Sequence, residues 1–183
     1  RVILRIEDID SPRVKPWATQ QAMDDLRWLG LDWDEGPDVG GSHGPYIQTQ
    51  RIERYHSILE SLKPAHIYPC TCTRTDIADA ASAPHQNQEG PIYPGTCAFR
   101  SSADATQLSG PYAWRFRTTD RNLTFHDQSA GLQSCCPAKE LGDFVIGKKD
   151  GTPAYQLAVV VDDHDMGVTE VCRGDDLQPS TFR

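Results

Sequence analysis

The sequence has no apolar run that approaches the length of a membrane-spanning helix, and it contains no internal repeat. It also has no complete P-loop, no G-x-G-x-x-G loop and no Ser–His–Asp order typical of a hydrolase triad. These absences argue against a helical membrane protein, a P-loop NTPase and a triad hydrolase. Any ligand chemistry must therefore come from other residues.

Basic residues are fewer than acidic residues: 18 Lys and Arg stand against 26 Asp and Glu, which gives a net charge of −8. Binding to phosphates depends on local cations, so this balance argues against a broad, nonspecific polyanion binder but allows a local basic face. The content of 38% hydrophobic and 24% charged residues is typical of a soluble globular protein. The 183 residues can form one sizeable core, or a core with a small inserted module.

Six cysteines are present, but their spacing does not favour a disulfide framework. Cys70 and Cys72 are one residue apart, and Cys135 and Cys136 are adjacent. Neither arrangement suits an internal bridge. We therefore expect a reduced, cytoplasmic protein with a metal site.

Hydrophobic periodicity predicts two helices, at residues 16–29 and 50–62. The first has Pro16 in its first turn and Gly30 as a stop, and Pro64 ends the second. The charged side chains of the second helix are predicted to be solvated rather than to form a binding stripe; they are Arg51, Glu53, Arg54 and Glu60.

Short β-rich runs predict the strands. Residues 2–6 are predicted to be a buried strand that leads into an acidic cluster, and residues 112–117 a strand whose partner is 123–126. Residues 144–148 and the segment from 152 onward are predicted to form a hairpin, because an Asp-Gly pair lies between them.

A candidate metal site begins with Cys70 and Cys72, which are followed after twenty residues by Tyr93 and Cys97. Three thiolates and a phenolate can surround one zinc ion, and two cysteines one residue apart can reach the same ion. Metal binding would hold together a segment that has too few hydrophobic residues for its own core. Two alternatives stay open: His66 or His85 as the fourth ligand, or ordinary thiols in a loop. Cys135, Cys136 and Cys172 are interpreted as structural.

A second candidate site combines Glu7, Tyr155 and Arg173. A carboxylate, a phenol and a guanidinium together suit a zwitterionic amino acid, because the carboxylate pairs with an ammonium group and arginine makes a two-pronged contact with a carboxylate. The alternative is a structural ion pair of Arg173 with Asp175 or Asp163.

An acidic tract follows the apolar run at 157–161 and consists of Asp162, Asp163, His164 and Asp165. A buried element thus delivers charged groups to one edge of a core. A magnesium or zinc site is one interpretation. The favoured interpretation is a helix terminus whose carboxylates orient nearby backbone and arginine groups.

Four motifs, in this order, resemble the catalytic domain of class I glutamyl-tRNA synthetase-like enzymes: RIEDID at 5–10 followed by SPR, CTC at 70–72, YPGTC at 93–97 and YQLAVVVDDHDMGVTEVCRGDDL at 155–177. Within that family, Ile9, the Thr-Glu pair at 169–170, the Gly-Asp-Asp-Leu run at 174–177 and the compact cysteine arrangement resemble the short paralogues that lack an anticodon-binding domain, the glutamyl-queuosine tRNA(Asp) synthetases.

The resemblance implies an α/β fold: part of a Rossmann-type catalytic domain with an inserted zinc-binding, acceptor-binding-like subdomain. The implied division is catalytic core at 1–66, the inserted subdomain at 67–142 and catalytic core again at 143–183. It also implies a Zn²⁺ bound by Cys70, Cys72, Tyr93 and Cys97. Glu7 would meet the ammonium of L-glutamate, Tyr155 would hydrogen-bond it, and Arg173 would pair with its side-chain carboxylate.

The implied reaction is ATP-dependent activation of L-glutamate, with Mg²⁺, followed by transfer of the glutamate to the queuosine base of tRNA(Asp). The protein is expected to be a monomer and not to associate with membranes. Two alternatives stay open: a discriminating glutamyl-tRNA synthetase, and a noncatalytic zinc-stabilised binding module.

The HIGH-type and KMSKS-type motifs of class I synthetases lie outside these 183 residues. Because both neutralise phosphate charge in the adenylation transition state, we expect that this polypeptide alone does not activate glutamate. Pyrophosphate exchange with ATP and glutamate measures this directly, and robust exchange would contradict the expectation.

Overall fold

The computed structural model describes residues 1–9, 14–80 and 92–183. Its helices are α1 (Ala18–Trp28), α2 (Ile52–Leu62), α3 (Arg74–Ala80), α4 (Pro137–Glu140) and α5 (Tyr155–Asp165). Its strands are β1 (Ile67–Cys70), β2 (Ala113–Phe116), β3 (Leu123–Asp127), β4 (Gly131–Cys135) and β5 (Phe144–Gly147). Short 3₁₀ helices cover Gln48–Arg51, Ser102–Gln107 and Asp175–Phe182. Among the described residues, no helix is both long and apolar enough to cross a membrane.

The chain divides into two compact units. Unit 1 comprises Arg1–Ile58 and Thr152–Thr169, and unit 2 comprises Leu59–Gly151 and Glu170–Arg183. The acidic and phenolic candidates Glu7 and Tyr155 belong to unit 1, whereas the cysteine site and Arg173 belong to unit 2.

The opening segment of unit 1 is extended but is not the buried strand that was predicted for residues 2–6. Ile3 and Ile6 each form one isolated parallel bridge, with Glu35 and Ile47 respectively. Residues 3–6 are all only partly buried, and Val2 is 56% exposed. The segment is therefore fixed at two points by backbone hydrogen bonds rather than by a continuous ladder.

Both predicted helices are confirmed, with small differences at their ends. Helix α1 stops before Gly30, whose φ of 78° suits the left-handed position after a helix. Its buried side chain is Met23, whereas Trp28 is 85% exposed. A 3₁₀ turn precedes α2, in which Tyr55 and Leu59 are buried.

The prediction that the charges of the second helix are solvated is wrong for Arg51. Its side chain is 6% exposed, and its Nε donates to Asp162 Oδ1 at 2.7 Å. Arg54 is partly exposed and donates to both carboxylate oxygens of Asp165. The misprediction has a clear cause: each acidic partner lies more than a hundred residues away in the sequence, so local spacing does not reveal it.

Unit 2 contains an antiparallel three-stranded sheet in the order β1-β2-β5. The predicted strand at 112–117 is confirmed as β2, but its predicted pairing with residues 123–126 is wrong. Those residues form β3, which pairs instead with β4 in a separate hairpin. Asp127 closes the turn of that hairpin by accepting the backbone N–H groups of Ser129 and Ala130 at 2.8 and 2.7 Å.

The predicted hairpin around residues 150–151 is also wrong, although the turn exists. Gly151 N–H donates to the Lys148 carbonyl at 3.0 Å, and φ at Gly151 is 86°. Beyond the turn, the chain enters α5 at Tyr155 instead of returning beside β5. Strand β5 pairs with β2, so β5 obtains its partner from a distant part of the chain.

Candidate functional site

The end of β1 positions the first two cysteines of the candidate metal site. Cys70 is the last residue of β1 and is 1% exposed, and Cys72 follows in the partly buried segment after it. Cys97 is 3% exposed and lies in the turn that follows Gly95. The three sulfur atoms lie within 4.8 Å of one another, and those of Cys72 and Cys97 are 3.7 Å apart.

Tyr93 completes this group. Its hydroxyl oxygen is 3.4 Å from Cys70 Sγ and 3.8 Å from Cys72 Sγ, and it accepts the backbone N–H of Cys97 at 2.7 Å. Gly142, with φ of 69°, allows the chain to approach closely: a Cβ there would lie 3.2 Å from the Tyr93 carbonyl oxygen. The four predicted donor atoms therefore lie together in unit 2.

The distances fit a tetrahedral zinc ion. With Zn–S bonds of about 2.3 Å, tetrahedral geometry requires sulfur atoms about 3.8 Å apart, and a Zn–O bond of about 2.0 Å requires an oxygen about 3.5 Å from each sulfur. The separations of 3.7 Å between sulfurs and of 3.4 and 3.8 Å from oxygen to sulfur are close to these values. Within the described part of the chain, Cys70, Cys72 and Cys97 form the one cluster of three metal-ligating side chains.

The pKa values of the candidate ligands are shifted in different directions. Burial raises the pKa of Cys97, but the backbone N–H of Thr71 and hydrogen bonds from Tyr93 and Cys72 outweigh it and lower that pKa to about 7. Burial raises the pKa of Cys72 to about 11, and burial together with the Cys70 contact raises the pKa of Tyr93. Of Cys72, Tyr93 and Cys97, the side chain of Cys97 therefore deprotonates most readily, and metal binding would release protons from Cys72 and Tyr93.

The other thiols and histidines have different surroundings. His66 stacks on Phe116, with ring centroids 6.2 Å apart, and is not part of the cysteine group. His85 lies outside the described residues. Cys136 Sγ lies 3.4 Å from a carboxylate oxygen of Asp120, Cys135 is buried, and Cys172 is exposed.

Glu7 lies at the end of the extended opening segment, with its side chain 35% exposed. Arg5 holds the Glu7 Oε1 atom through Nε at 3.2 Å and Nη2 at 2.9 Å. The same guanidinium donates from Nη1 to Asp163 Oδ1 at 2.7 Å, so it links the Glu7 carboxylate to the last turns of α5. Both contacts with Arg5 fall on one carboxylate oxygen, Oε1.

The remaining candidates lie at the two ends of the 155–177 stretch. Tyr155 is the first residue of α5 and is 49% exposed. Arg173 is exposed in unit 2, in the segment before the last 3₁₀ helix, and donates a hydrogen bond to the Thr181 hydroxyl.

The acidic tract is the C-terminal part of α5, as the favoured interpretation predicted. Asp162 is fully buried and receives hydrogen bonds from Arg51, Gln48 and the Tyr55 hydroxyl at 2.7 to 3.0 Å. Hydrogen bonds from Arg54 lower the pKa of Asp165 to about 2. Carboxylates are unfavourable near the negative end of a helix dipole, and these cations offset that cost.

The contact of Arg5 with Glu7 was not predicted from the sequence. The available signal was its position two residues before Glu7, because side chains two apart in an extended segment lie on the same face.

Residues 1–183 match the family model for the catalytic domain of class I tRNA synthetases (E and Q). The chain therefore belongs to this family of ligases. The family match covers both units and includes all seven candidate ligand residues.

Within the family, the chain is 50% identical over 195 residues to the Glutamyl-Q tRNA(Asp) synthetase of Rhodopirellula baltica, covering 100% of this chain and 57% of the relative. It is 39% identical over 185 residues to Glutamate–tRNA ligase 2 of Syntrophus aciditrophicus, covering 99% and 38% respectively. A crystal structure of a glutamate tRNA ligase from Elizabethkingia meningosepticum, in complex with its amino acid, superimposes with a TM-score of 0.81 at 31% identity, covering 98% of this chain and 38% of that one. The chain thus spans a little over half of the Glutamyl-Q relative and about two fifths of the other two.

Proposed function

We propose that this chain is part of an enzyme that activates L-glutamate with ATP and Mg²⁺ and transfers it to the queuosine base of tRNA(Asp). The observation that carries the proposal is the match of the entire chain to curated relatives named Glutamyl-Q tRNA(Asp) synthetase at 45 to 51% identity. Relatives named glutamate–tRNA ligase match at 38 to 40%. Ile9, Thr169 and Glu170 support the same choice, because they depart from the pattern of ordinary glutamyl-tRNA synthetases.

The proposed chemistry has two steps. An oxygen of the glutamate α-carboxylate attacks the α-phosphorus of ATP, and pyrophosphate leaves with the electrons of the broken bond. A nucleophile on the queuosine base then attacks the activated carbonyl carbon, and AMP leaves. The division of the chain into catalytic core at 1–66 and 143–183 and an inserted subdomain at 67–142 is part of the proposal.

Glu7, Tyr155 and Arg173 are proposed to bind glutamate. In the proposed role, the Oε2 atom of Glu7 accepts the ammonium group, and the Tyr155 hydroxyl hydrogen-bonds the substrate. Arg173 pairs with the side-chain carboxylate through two parallel hydrogen bonds, which a lysine does not reproduce.

Zinc is proposed to be bound by Cys70, Cys72, Tyr93 and Cys97 and to act structurally. The donor set fits, because one sulfur–sulfur distance and two oxygen–sulfur distances are close to those of a tetrahedral S₃O site, and all three sulfur atoms lie within 4.8 Å of one another. The six free thiols agree with a reducing compartment, so we propose that the protein is cytoplasmic. We also propose that it is a monomer.

The activity is tested on a chimera in which residues 1–183 replace the matching segment of the Rhodopirellula relative. Labelled glutamate, ATP and Mg²⁺ are supplied with tRNA(Asp) that carries queuosine, with tRNA(Asp) that lacks it, or with tRNA(Glu). The proposal expects label only on the queuosine-bearing tRNA. The label should stay after removal of the 3′ end by nuclease. Label on tRNA(Glu) that is lost with its 3′ end would instead establish the runner-up, a glutamyl-tRNA synthetase.

The glutamate contacts are tested in the same chimera. Arg173→Lys keeps the charge but loses the two-pronged contact, so we expect KM for glutamate to rise about 10–150-fold while KM for ATP changes little. Arg121→Lys, at an exposed position between β2 and β3, is the matched control. Equal KM values for glutamate in the two variants would remove Arg173 from the proposed site.

A further inference from the structure

We propose that Arg100 is an outer-sphere residue of the metal site, which holds the sulfur of Cys97 and ties the two ligand pairs to each other. This inference rests on the zinc site of the proposed function. Arg100 Nη1 lies 3.3 Å from Cys97 Sγ, 3.3 Å from Thr71 Oγ1 and 3.4 Å from the Pro69 carbonyl oxygen. One nitrogen atom therefore contacts both ligand segments, at 69–72 and at 93–97.

Hydrogen bonds position the backbone around Arg100. Two successive turns bring the side chain back towards Cys97: Ala98 N–H donates to the Gly95 carbonyl at 2.8 Å, and Arg100 N–H donates to the Cys97 carbonyl at 3.1 Å. Arg117 then donates to the carbonyl oxygens of Ala98, at 2.7 Å, and of Arg100. Hydrogen bonds thus hold the backbone of Arg100 where its guanidinium lies beside Cys97 Sγ, and outer-sphere partners act by such contacts with metal ligands.

The charge of the site calls for a cation at this position. Three thiolates and one Zn²⁺ carry a net charge of −1, and a phenolate would add another negative charge. Two of the sulfur atoms belong to residues that are 1% and 3% exposed, so water does little to stabilise this charge. Arginine stays protonated at every relevant pH, and a hydrogen bond from a charged donor to a thiolate is strong. Arg115 adds a second cation, 3.7 Å from the centre of the Tyr93 ring.

Lysine would not replace Arg100 fully. A lysine ammonium keeps the charge and can approach Cys97 Sγ, but it lies on a flexible stem. It is therefore not held beside the sulfur, Thr71 Oγ1 and the Pro69 carbonyl as Nη1 of the planar guanidinium is. The Arg100→Lys variant therefore separates the effect of charge from the effect of geometry, whereas Arg100→Gln removes the charge.

The test measures metal binding by the 183-residue chain. Zinc affinity is obtained by competition with a chromophoric chelator for the original chain, Arg100→Gln, Arg100→Lys and the control Arg121→Gln. Loss of an outer-sphere partner typically weakens metal affinity by about 10–100-fold, so we expect this loss for Arg100→Gln, a smaller loss for Arg100→Lys and no change for Arg121→Gln.

Cobalt(II) substitution supplies a spectroscopic readout that a merely structural role would not change. A hydrogen bond lowers the energy of the sulfur lone pairs, so its loss in Arg100→Gln should move the sulfur-to-cobalt charge-transfer band to longer wavelength, while Arg121→Gln keeps the original band. Equal zinc affinity and an unshifted band in Arg100→Gln would overturn the inference and leave the zinc site standing. Absence of zinc and cobalt binding by the original chain would overturn the zinc site and, with it, the inference. Neither outcome affects the glutamate-transfer proposal, which the chimera tests separately.

Discussion

Tyrosine is an unusual zinc ligand, and the surroundings of Tyr93 show what a phenol would contribute at this position of the proposed site. Its ring is buried, its oxygen faces two sulfur atoms, and that oxygen accepts the Cys97 N–H at 2.7 Å. A shorter cysteine side chain at the same place would not both reach the metal and accept the backbone N–H of Cys97, the other ligand of its own segment.

The substitution Tyr93→Phe tests this double role. It removes the oxygen donor and leaves the Cys97 N–H without its acceptor, so we expect zinc affinity to fall by at least about tenfold. Chelator competition measures the change. Tyr68→Phe is the matched control, because Tyr68 is equally buried and its hydroxyl donates to Asp143 rather than to the cysteine group. Unchanged zinc affinity in Tyr93→Phe would point to another fourth ligand, with His85 as the first candidate.

Glu35 is the residue that we expect to give unit 1 its acid sensitivity. Its carboxylate accepts the Tyr46 hydroxyl at 2.5 Å and contacts the His43 ring at 2.9 Å. The hydrogen bond from Tyr46, followed by that from His43, lowers the pKa of Glu35 from 4.5 to about 2. Because the folded-state pKa is depressed, the stabilisation is complete above pH 4.5 and is lost as the pH falls towards 2.

The expected result is a difference in pH dependence. The thermal unfolding midpoint of the original chain should fall between pH 4.5 and 2 more steeply than that of Glu35→Gln, which does not titrate. Glu53→Gln, at an exposed position on α2, should keep the steep slope. Parallel profiles for the original chain and Glu35→Gln would show that other carboxylates cause the acid sensitivity.

At the scale of elements, α5 is anchored in unit 1 through Asp162. The buried carboxylate accepts hydrogen bonds from Arg51, Gln48 and Tyr55, which belong to α2 and to the 3₁₀ turn before it. The first residue of the same helix is Tyr155, and Arg5 links the helix to Glu7 through Asp163. The network therefore sets the position of the helix that carries one proposed glutamate contact and supports another.

Substitution of Asp162 should be among the most destabilising single changes in unit 1. Asp162→Asn keeps the side-chain volume but removes the buried charge that faces Arg51 Nε, and Asp165 then remains as the counter-charge of Arg51. Because a buried ion pair is broken, we expect a loss of about 3–5 kcal/mol in the free energy of unfolding. Asp163→Asn removes a carboxylate that is 31% exposed and should cost less than about 1 kcal/mol. Chemical denaturation of both variants measures the difference, and equal losses would contradict the anchoring role.

Local patterns predicted the elements that depend on local information. The two long helices follow from apolar spacing and from Pro16, Gly30 and Pro64, which act within a few residues. The pairing of β2 was mispredicted, because it depends on contacts of Trp114 with Pro69 and Gly147, far away in the sequence. The burial of Arg51 was missed for the same reason.

The candidate metal site was easier to predict than the strand pairing, because its candidate ligands lie close together in the sequence within each of two pairs. Cys70 with Cys72, and Tyr93 with Cys97, each form a pair within five residues, so only the meeting of two pairs had to be inferred. Arg100 was not predicted, because an arginine three residues after a cysteine has many alternative roles until the turn that returns it to the sulfur is known.

At the scale of the whole molecule, the two units have different sources of stability. Unit 1 has the buried ion network around Asp162, and α5 buries Leu157, Ala158 and Val161. In unit 2, the region around the cysteines has a small core made of Tyr68, Cys70, Tyr93 and Cys97, in which the candidate metal ligands are themselves the core residues. The proposed zinc site would therefore supply part of the folding free energy of this region.

Removal of zinc should therefore act on one unit. After treatment with a chelator, hydrogen exchange followed by mass spectrometry should show faster exchange at residues 67–73 and 93–100, whereas the amides of α1 and α5 keep their protection. Addition of zinc should restore the slow exchange, and magnesium should not, because Mg²⁺ prefers oxygen ligands in an octahedral arrangement. A matched sample of Cys97→Ser, which weakens the site without a chelator, should resemble the chelated protein, while Cys172→Ser, at an exposed thiol, should resemble the untreated one. Faster exchange throughout α5 on chelation would contradict the separation, because it would show that the metal also stabilises the element that carries Tyr155.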